Sequence, residues 1–158
     1  MQTNVVALAL KQLVCYNKDN RITEPSDGSR FRDPPSGEAK TCASGGSFCK
    51  EVFLQGCALR CKYCHNPETW GPGGEEWTPE SLFQRVWRYR NYWGKKGGIT
   101  VSGGEPLRQM EFLTAFFALA RSKGVHTALD TAGQPFRPDD PDYLAAFDRL
   151  MASTSLVI

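Results

Sequence analysis

Long hydrophobic runs are missing from this sequence. The N-terminal apolar run Val5–Leu10 is interrupted by Lys11, well short of the roughly 20 residues a bilayer-spanning helix needs. It has no convincing cleavage site, so it reads as neither anchor nor secretory signal. Strong charge is also absent: the formal balance is +2, which by itself argues neither for nor against nucleic acid. A second C-x2-C or H-x3-H arm, which a structural zinc site typically requires, does not occur. The six cysteines could form a disulfide framework, but in a chain of 158 residues with no visible signal peptide a reducing, cytoplasmic setting fits better.

What is present centres on Gln55–Asn66, QGCALRCKYCHN. Cys57, Cys61 and Cys64 stand in a C-x3-C-x2-C spacing. Three thiolates in one tight loop can point at one centre, and a soft metal or an iron–sulfur cluster suits them. Zinc is the rival, but His65 adjoins Cys64 and neighbours rarely chelate one small ion. Three ligands without an obvious fourth suggest a centre left open to substrate.

Hydrophobic residues make up 41% of the chain, enough for a real core and one ordinary domain. Met1–Val14 reads as a short amphipathic helix, with Val5, Leu8, Ala9 and Leu13 at roughly helical spacing. Asn17 to Ser47 is rich in Gly, Pro and Ser and reads as loop or disorder. Cys15, Cys42 and Cys49 are irregularly spaced and read as ordinary thiols. From Glu51 the pattern is regular. Val52–Leu54 is a strand and Asn66–Trp77 a Gly/Pro-rich loop. Thr78-Pro79 opens a helix with Leu82, Val86, Tyr89 and Trp93 on one face, ended by Gly94. Arg85, Arg88 and Arg90 lie largely off that face and read as solvated basic surface rather than a nucleic-acid patch. Ile99–Val101 is a strand, Gln109–Ser122 a helix capped by Gly124, Val125–Leu129 a strand, Asp140–Met151 a helix, and Leu156–Ile158 begins another strand. His126, inside a strand, reads as a packed core histidine. Such alternation predicts a parallel α/β sheet. The cysteine loop, Ser102–Pro106 and Asp130–Gly133 each follow a strand, so all three should meet at one carboxyl edge, where such sheets bind ligands.

The run FLQGCALRCKYCHNPETW (53–70), with GGITVSGGEPL (97–107) and HTALDTAG (126–133), resembles the radical S-adenosylmethionine (SAM) superfamily. Within it, the likeness is to the glycyl-radical enzyme activases of the pyruvate formate-lyase activating type, over roughly residues 51–158. The resemblance implies a 4Fe-4S cluster on Cys57, Cys61 and Cys64 with one iron open to SAM. An electron from the cluster would cleave SAM to a 5′-deoxyadenosyl radical, which would install a glycyl radical on a pyruvate formate-lyase-like partner. It places Tyr63 beside the adenine, with His65 as a loop residue making backbone contacts there. Gly103 and Gly104 would let the backbone approach the methionine part of SAM, and Glu105 would face its amino group. The competing reading is a strand-end turn with a solvent-exposed Glu105. Asp130 and Thr131 match positions that help hold a monovalent cation by the SAM carboxylate; the competing reading is a helix-capping turn. A flavodoxin or ferredoxin-type protein would donate the electron, and neither nucleic acid nor membrane is an expected partner. Two other readings remain open: a radical SAM enzyme acting on a small molecule, and a zinc-binding structural module.

The family's Asp-Gly-Pro-Gly turn is not found before Glu51. Residues 1–50 are therefore expected to be a divergent, partly disordered extension. Residues 51–158 are expected to form the first half of a radical SAM (β/α) barrel, cut at the start of its fourth strand and inactive alone.

Overall fold

The computed structural model describes residues 6–9, 49–93 and 97–158. Among them one six-stranded sheet runs in the order β3-β1-β2-β4-β5-β6. The strands are β1 Val6–Ala9, β2 Cys49–Leu54, β3 Glu75–Trp77, β4 Gly98–Gly103, β5 His126–Leu129 and β6 Leu156–Val157. Helix α1, Pro79–Trp87, precedes β4; α2, Met110–Ser122, precedes β5; α3, Pro141–Ala152, precedes β6. The pairings β2–β4, β4–β5 and β5–β6 are parallel, as the alternation predicts, while β1 pairs antiparallel with β2 and β3.

Local signals set the helix limits. Thr78 caps α1 through a reciprocal pair: its Oγ1 accepts from the Ser81 N–H at 3.2 Å, and Ser81 Oγ accepts from the Thr78 N–H at 3.0 Å. Pro79 fills the first helical position, where its missing N–H costs nothing. Beyond Trp87 a short 3-10 turn, Arg90–Tyr92, carries the chain to buried Trp93; Gly94 lies outside the described residues. Helix α2 ends in a left-handed Gly124 (φ 69°), with Val125 N–H returning to Ala120 O at 3.0 Å. Asp140 caps α3 by accepting from Tyr143 N–H at 3.0 Å.

Strand residues alternate between two environments, as side chains one apart must. Val52, Leu54, Ile99, Val101 and Leu129 join Leu82, Val86, Phe112, Phe116, Phe117 and Leu150 of the three helices in one core. Glu51, Phe53, Thr100, Ser102, Ala128 and Asp130 occupy the alternate positions, on the opposite face of the sheet.

Three expectations are corrected. The helix expected over Met1–Val14 is a strand where it is described: β1 pairs antiparallel with β2 (Leu8 opposite Leu54, Ala9 opposite Phe53) and with β3. Sheet pairing outweighs a weak helical periodicity in so short a segment. The loop expected up to Trp77 closes on a strand, because Glu75–Trp77 finds β1 as partner. His126 is exposed at the start of β5 rather than packed in the core. Cys49 opens β2, while Cys15 and Cys42 lie outside the described residues.

Candidate functional site

The cysteine loop is fixed at its root. After β2, Gly56 turns with φ 94° and its N–H donates to Thr69 O at 2.8 Å. Cys57 N–H donates to Trp70 O at 3.2 Å. The return arm is a 3-10 turn, Pro67–Thr69. Thr69 is fully buried, and both its N–H (3.0 Å) and its hydroxyl (2.7 Å) donate to Asn66 O. Gln55 closes the base: its carbonyl accepts from the Gln109 side-chain amide at 2.8 Å. With its own amide nitrogen turned inward, it reaches Gly71 O and Glu68 O at 3.2 Å each.

Cys57 and Cys64 are half-buried, Cys61 is exposed, and all three are free thiols. Cys64 N–H donates to Cys61 O at 3.1 Å, a turn that brings these two residues near one another. Arg60 stacks over Trp70 at 5.0 Å from the ring centre. Among the described residues no three Cys, His, Asp or Glu side chains are gathered as they would be around a single metal ion. Tyr63, 88% exposed, and exposed His65 stand on the outer part of the loop.

The second loop locks onto that root. Gly104 N–H donates to Leu54 O at 2.8 Å and Glu105 N–H to Gly56 O at 2.9 Å. A Cβ on Gly103, whose φ is 108°, would lie 2.5 Å from Leu54 N and 2.6 Å from Leu54 O. A Cβ on Gly104 would overlap the Gly56 carbonyl, 2.8 Å from its carbon, and sit 3.0 Å from Thr69 O. These two glycines let the ends of β2 and β4 approach backbone to backbone.

Glu105 is 1% exposed. Its Oε1 accepts from Leu107 N–H at 3.0 Å and from the Thr131 hydroxyl at 2.5 Å; its Oε2 accepts from Ala132 N–H at 3.0 Å. This overturns the reading of Glu105 as a solvent-exposed turn residue. A buried carboxylate is tolerated only when hydrogen-bonded in this way. The third loop is held from both sides. Asp130 N–H donates to Val101 O at 2.9 Å, Thr131 N–H to Ile158 O at 3.1 Å, and Gly133 N–H to Thr131 Oγ1 at 3.0 Å. Ser102 Oγ donates to Asp130 Oδ2 at 2.6 Å. Asp130 and Thr131 are not a helix cap; Asp140 takes that place for α3.

Below Asp130 lies Glu51. Burial, reinforced by the Asp130 charge and opposed by Lys50, pushes the Glu51 carboxyl above its ordinary range. Lys50 itself lies on the helix face, 8% exposed, with Nζ 4.8 Å above the Tyr89 ring. Burial and then Arg85 lower its ammonium, with Glu51 opposing.

The three loops expected to converge therefore do so, and Gly103, Gly104, Glu105, Asp130 and Thr131 form one bonded set with the root of the cysteine loop. Gly56, Thr69, Trp70 and Ser102 belong to this set and carried no role in the sequence reading. Thr69 and Trp70 sit inside the FLQGCALRCKYCHNPETW run, so the signal for them was there. Ser102 likewise sits inside the GGITVSGGEPL run; what the sequence did not show was its partner, 28 positions away.

Residues 52–154 match the family model described as the Radical SAM superfamily. The chain is 50% identical over 110 residues to the pyruvate formate-lyase-activating enzyme of Streptococcus mutans, covering 68% of this chain and 41% of that protein. It is 47% identical over 109 residues to the protein of the same name from Listeria monocytogenes, covering 68% and 44%. It is 43% identical over 109 residues to that of Clostridium pasteurianum, covering 68% and 42%. The chain thus spans about two-fifths of the length of the curated relatives it matches.

Proposed function

Because this chain belongs to the radical SAM superfamily, we propose that it serves the activation of a glycyl-radical enzyme of the pyruvate formate-lyase kind. The observation that carries the reading is the bonded contact of three loops at one carboxyl edge, with Glu105 N–H on Gly56 O at the root of the cysteine loop and the Glu105 carboxylate on Thr131 and Ala132. The relatives' shared name supports the protein substrate over a small molecule.

The donor set suits a 4Fe-4S cluster. It has three free thiols on one loop, a root held by Thr69 and Trp70, and no fourth cysteine in the loop. Cys57, Cys61 and Cys64 would hold three irons, and the bound cluster with SAM supplies reductive cleavage to a 5′-deoxyadenosyl radical. The protein's own part is positional. The backbone at Gly103 and Gly104 would border the methionine part of SAM, and Glu105 ties the neighbouring loops together. Asp130, tethered by Ser102, and Thr131 would help hold a monovalent cation by the SAM carboxylate. Exposed Tyr63 would pack by the adenine, with the backbone at His65 contributing contacts there.

The sheet carries its helices' core on one face and a polar row, Glu51, Thr100, Ser102 and Asp130, on the other. This fits the inner wall of a partial (β/α) barrel whose first half begins with β2; the expected boundary at residue 51 moves to Cys49, where β2 starts, and Val6–Ala9 belongs to the same sheet rather than to a separate extension. No helix among the described residues is long and apolar enough to cross a membrane. The proposed setting is the cytoplasm, with a flavodoxin or ferredoxin-type donor and no nucleic-acid partner.

Anaerobic reconstitution with iron and sulfide, metal analysis, and low-temperature EPR after reduction test the cluster. Formation of 5′-deoxyadenosine with dithionite, and a glycyl-radical EPR signal on added pyruvate formate-lyase, test the activity. Stoichiometric zinc with no reducible cluster would sink the reading in favour of a zinc module.

A further inference from the structure

We propose that Glu105 is a positioning residue: its carboxylate is the strut that ties the Thr131–Ala132 loop to the root of the cysteine loop, and it acts on SAM through that loop rather than by touching it. The inference rests on the reading of the site as a SAM site.

Three observations carry it. First, the carboxylate is committed. It accepts three hydrogen bonds, from Leu107 N–H, the Thr131 hydroxyl and Ala132 N–H, at 2.5–3.0 Å, while the residue is 1% exposed. A carboxylate has about four lone-pair sites, so little acceptor capacity remains, and a ligand's ammonium group has no open approach to it. Secondly, the residue bridges in both directions. Its N–H holds Gly56 O at 2.9 Å, one residue before Cys57, and its side chain holds residues 26 and 27 positions further on. The thiol loop and the third loop are thereby referenced to one buried group. Thirdly, the Tyr143 hydroxyl of α3 feels that charge without taking one of its acceptor sites. It is buried with no partner among the described residues, and the charge of Glu105 adds to the burial that raises its phenol. Arg137 faces the same ring from 6.0 Å. Charge-assisted hydrogen bonds in a dry site are strong and directional, so one carboxylate can fix the height of Asp130 and Thr131 above the sheet.

The test separates the strut from a direct contact in protein that has never met SAM. Backbone amide hydrogen exchange is followed at Leu107 and Ala132 in the SAM-free full chain, for the native protein, Glu105→Gln and Glu105→Asp. SAM affinity and iron content are measured separately after anaerobic reconstitution. The strut predicts at least tenfold faster exchange at both amides in Glu105→Gln. It also predicts the same loss at Ala132 in Glu105→Asp, which keeps the charge and can still cap Leu107 N–H but is one methylene too short to reach the third loop. SAM affinity falls in both variants while iron content holds. Thr131→Val, which removes one of the three donors, reproduces part of the loss of affinity. Unchanged exchange with lost SAM affinity in Glu105→Gln, or native SAM affinity in Glu105→Asp, would overturn the proposal and return Glu105 to direct contact with the ligand. If Glu105→Gln does not fold, Glu105→Asp decides by the same two readouts, and Thr131→Val by exchange at Ala132 alone. A native protein that takes up neither cluster nor SAM would strike the functional reading alone, because the exchange arm needs neither.

Discussion

A Cβ on Gly104 would overlap the carbonyl of Gly56. The second loop and the root of the cysteine loop are thus in direct backbone contact, with no side chain between them. Gly104→Ala has to push two backbones apart, and no flexible side chain can absorb the shift. The expected cost is about 1–3 kcal/mol, typical of forced overpacking, together with loss of the Glu105 N–H bond to Gly56 O. Thermal melting of the variant should show that drop, and reconstituted protein should retain less iron. Gly71→Ala is the control, since nothing lies within 4 Å of a Cβ there. Equal losses in both would detach the effect from the Gly104–Gly56 contact.

Cys57→Ala, Cys61→Ala and Cys64→Ala should each abolish normal cluster assembly, because two thiolates hold a cluster poorly against water and oxygen. Simultaneous replacement of Cys15, Cys42 and Cys49 should leave iron and sulfide content unchanged. Halved iron in that triple variant would reveal a second cluster or a bridging role.

Glu51 supplies a pH test. Burial first, and Asp130 second, raise its carboxyl in the folded chain above the unfolded value. The folded state therefore favours the protonated form. That contribution to stability is fully present below the ordinary glutamate value of about 4.3 and is lost as pH rises through the raised folded value. Glu51→Gln, neutral throughout, should melt higher than the native chain at neutral pH, and the gap should close at about pH 4. Melting curves across that range check it; a gap independent of pH would place its origin in packing.

Ser102 holds Asp130 by one short hydrogen bond. Its removal in Ser102→Ala should weaken SAM binding roughly fivefold, matching about 1 kcal/mol for a partly exposed bond to a charged group. Asp130→Asn should weaken it further. Equilibrium binding to reconstituted protein measures both, and an undiminished affinity in Asp130→Asn would remove this loop from the SAM site.

The sequence by itself determined what depends on near neighbours. The C-x3-C-x2-C spacing needs only one loop. The caps at Thr78-Pro79 and Asp140, and the left-handed Gly124, act within a few residues of where they stand. The apolar spacing of α2 follows from its own turn. The parallel pairing of β2, β4, β5 and β6 followed from alternation, and with it the edge where three motifs meet. Only the tertiary structure decided the rest. Val6–Ala9 is a strand because β2 and β3 offer it partners, a fact no local periodicity contains. His126 is exposed because β5 begins there, at the rim. Glu105 is a buried strut because Thr131 and Ala132, distant in sequence, close over it. A carboxylate after two glycines reads the same in a chain whether water or a neighbouring loop satisfies it; which of them does so is set by how the strand ends come together.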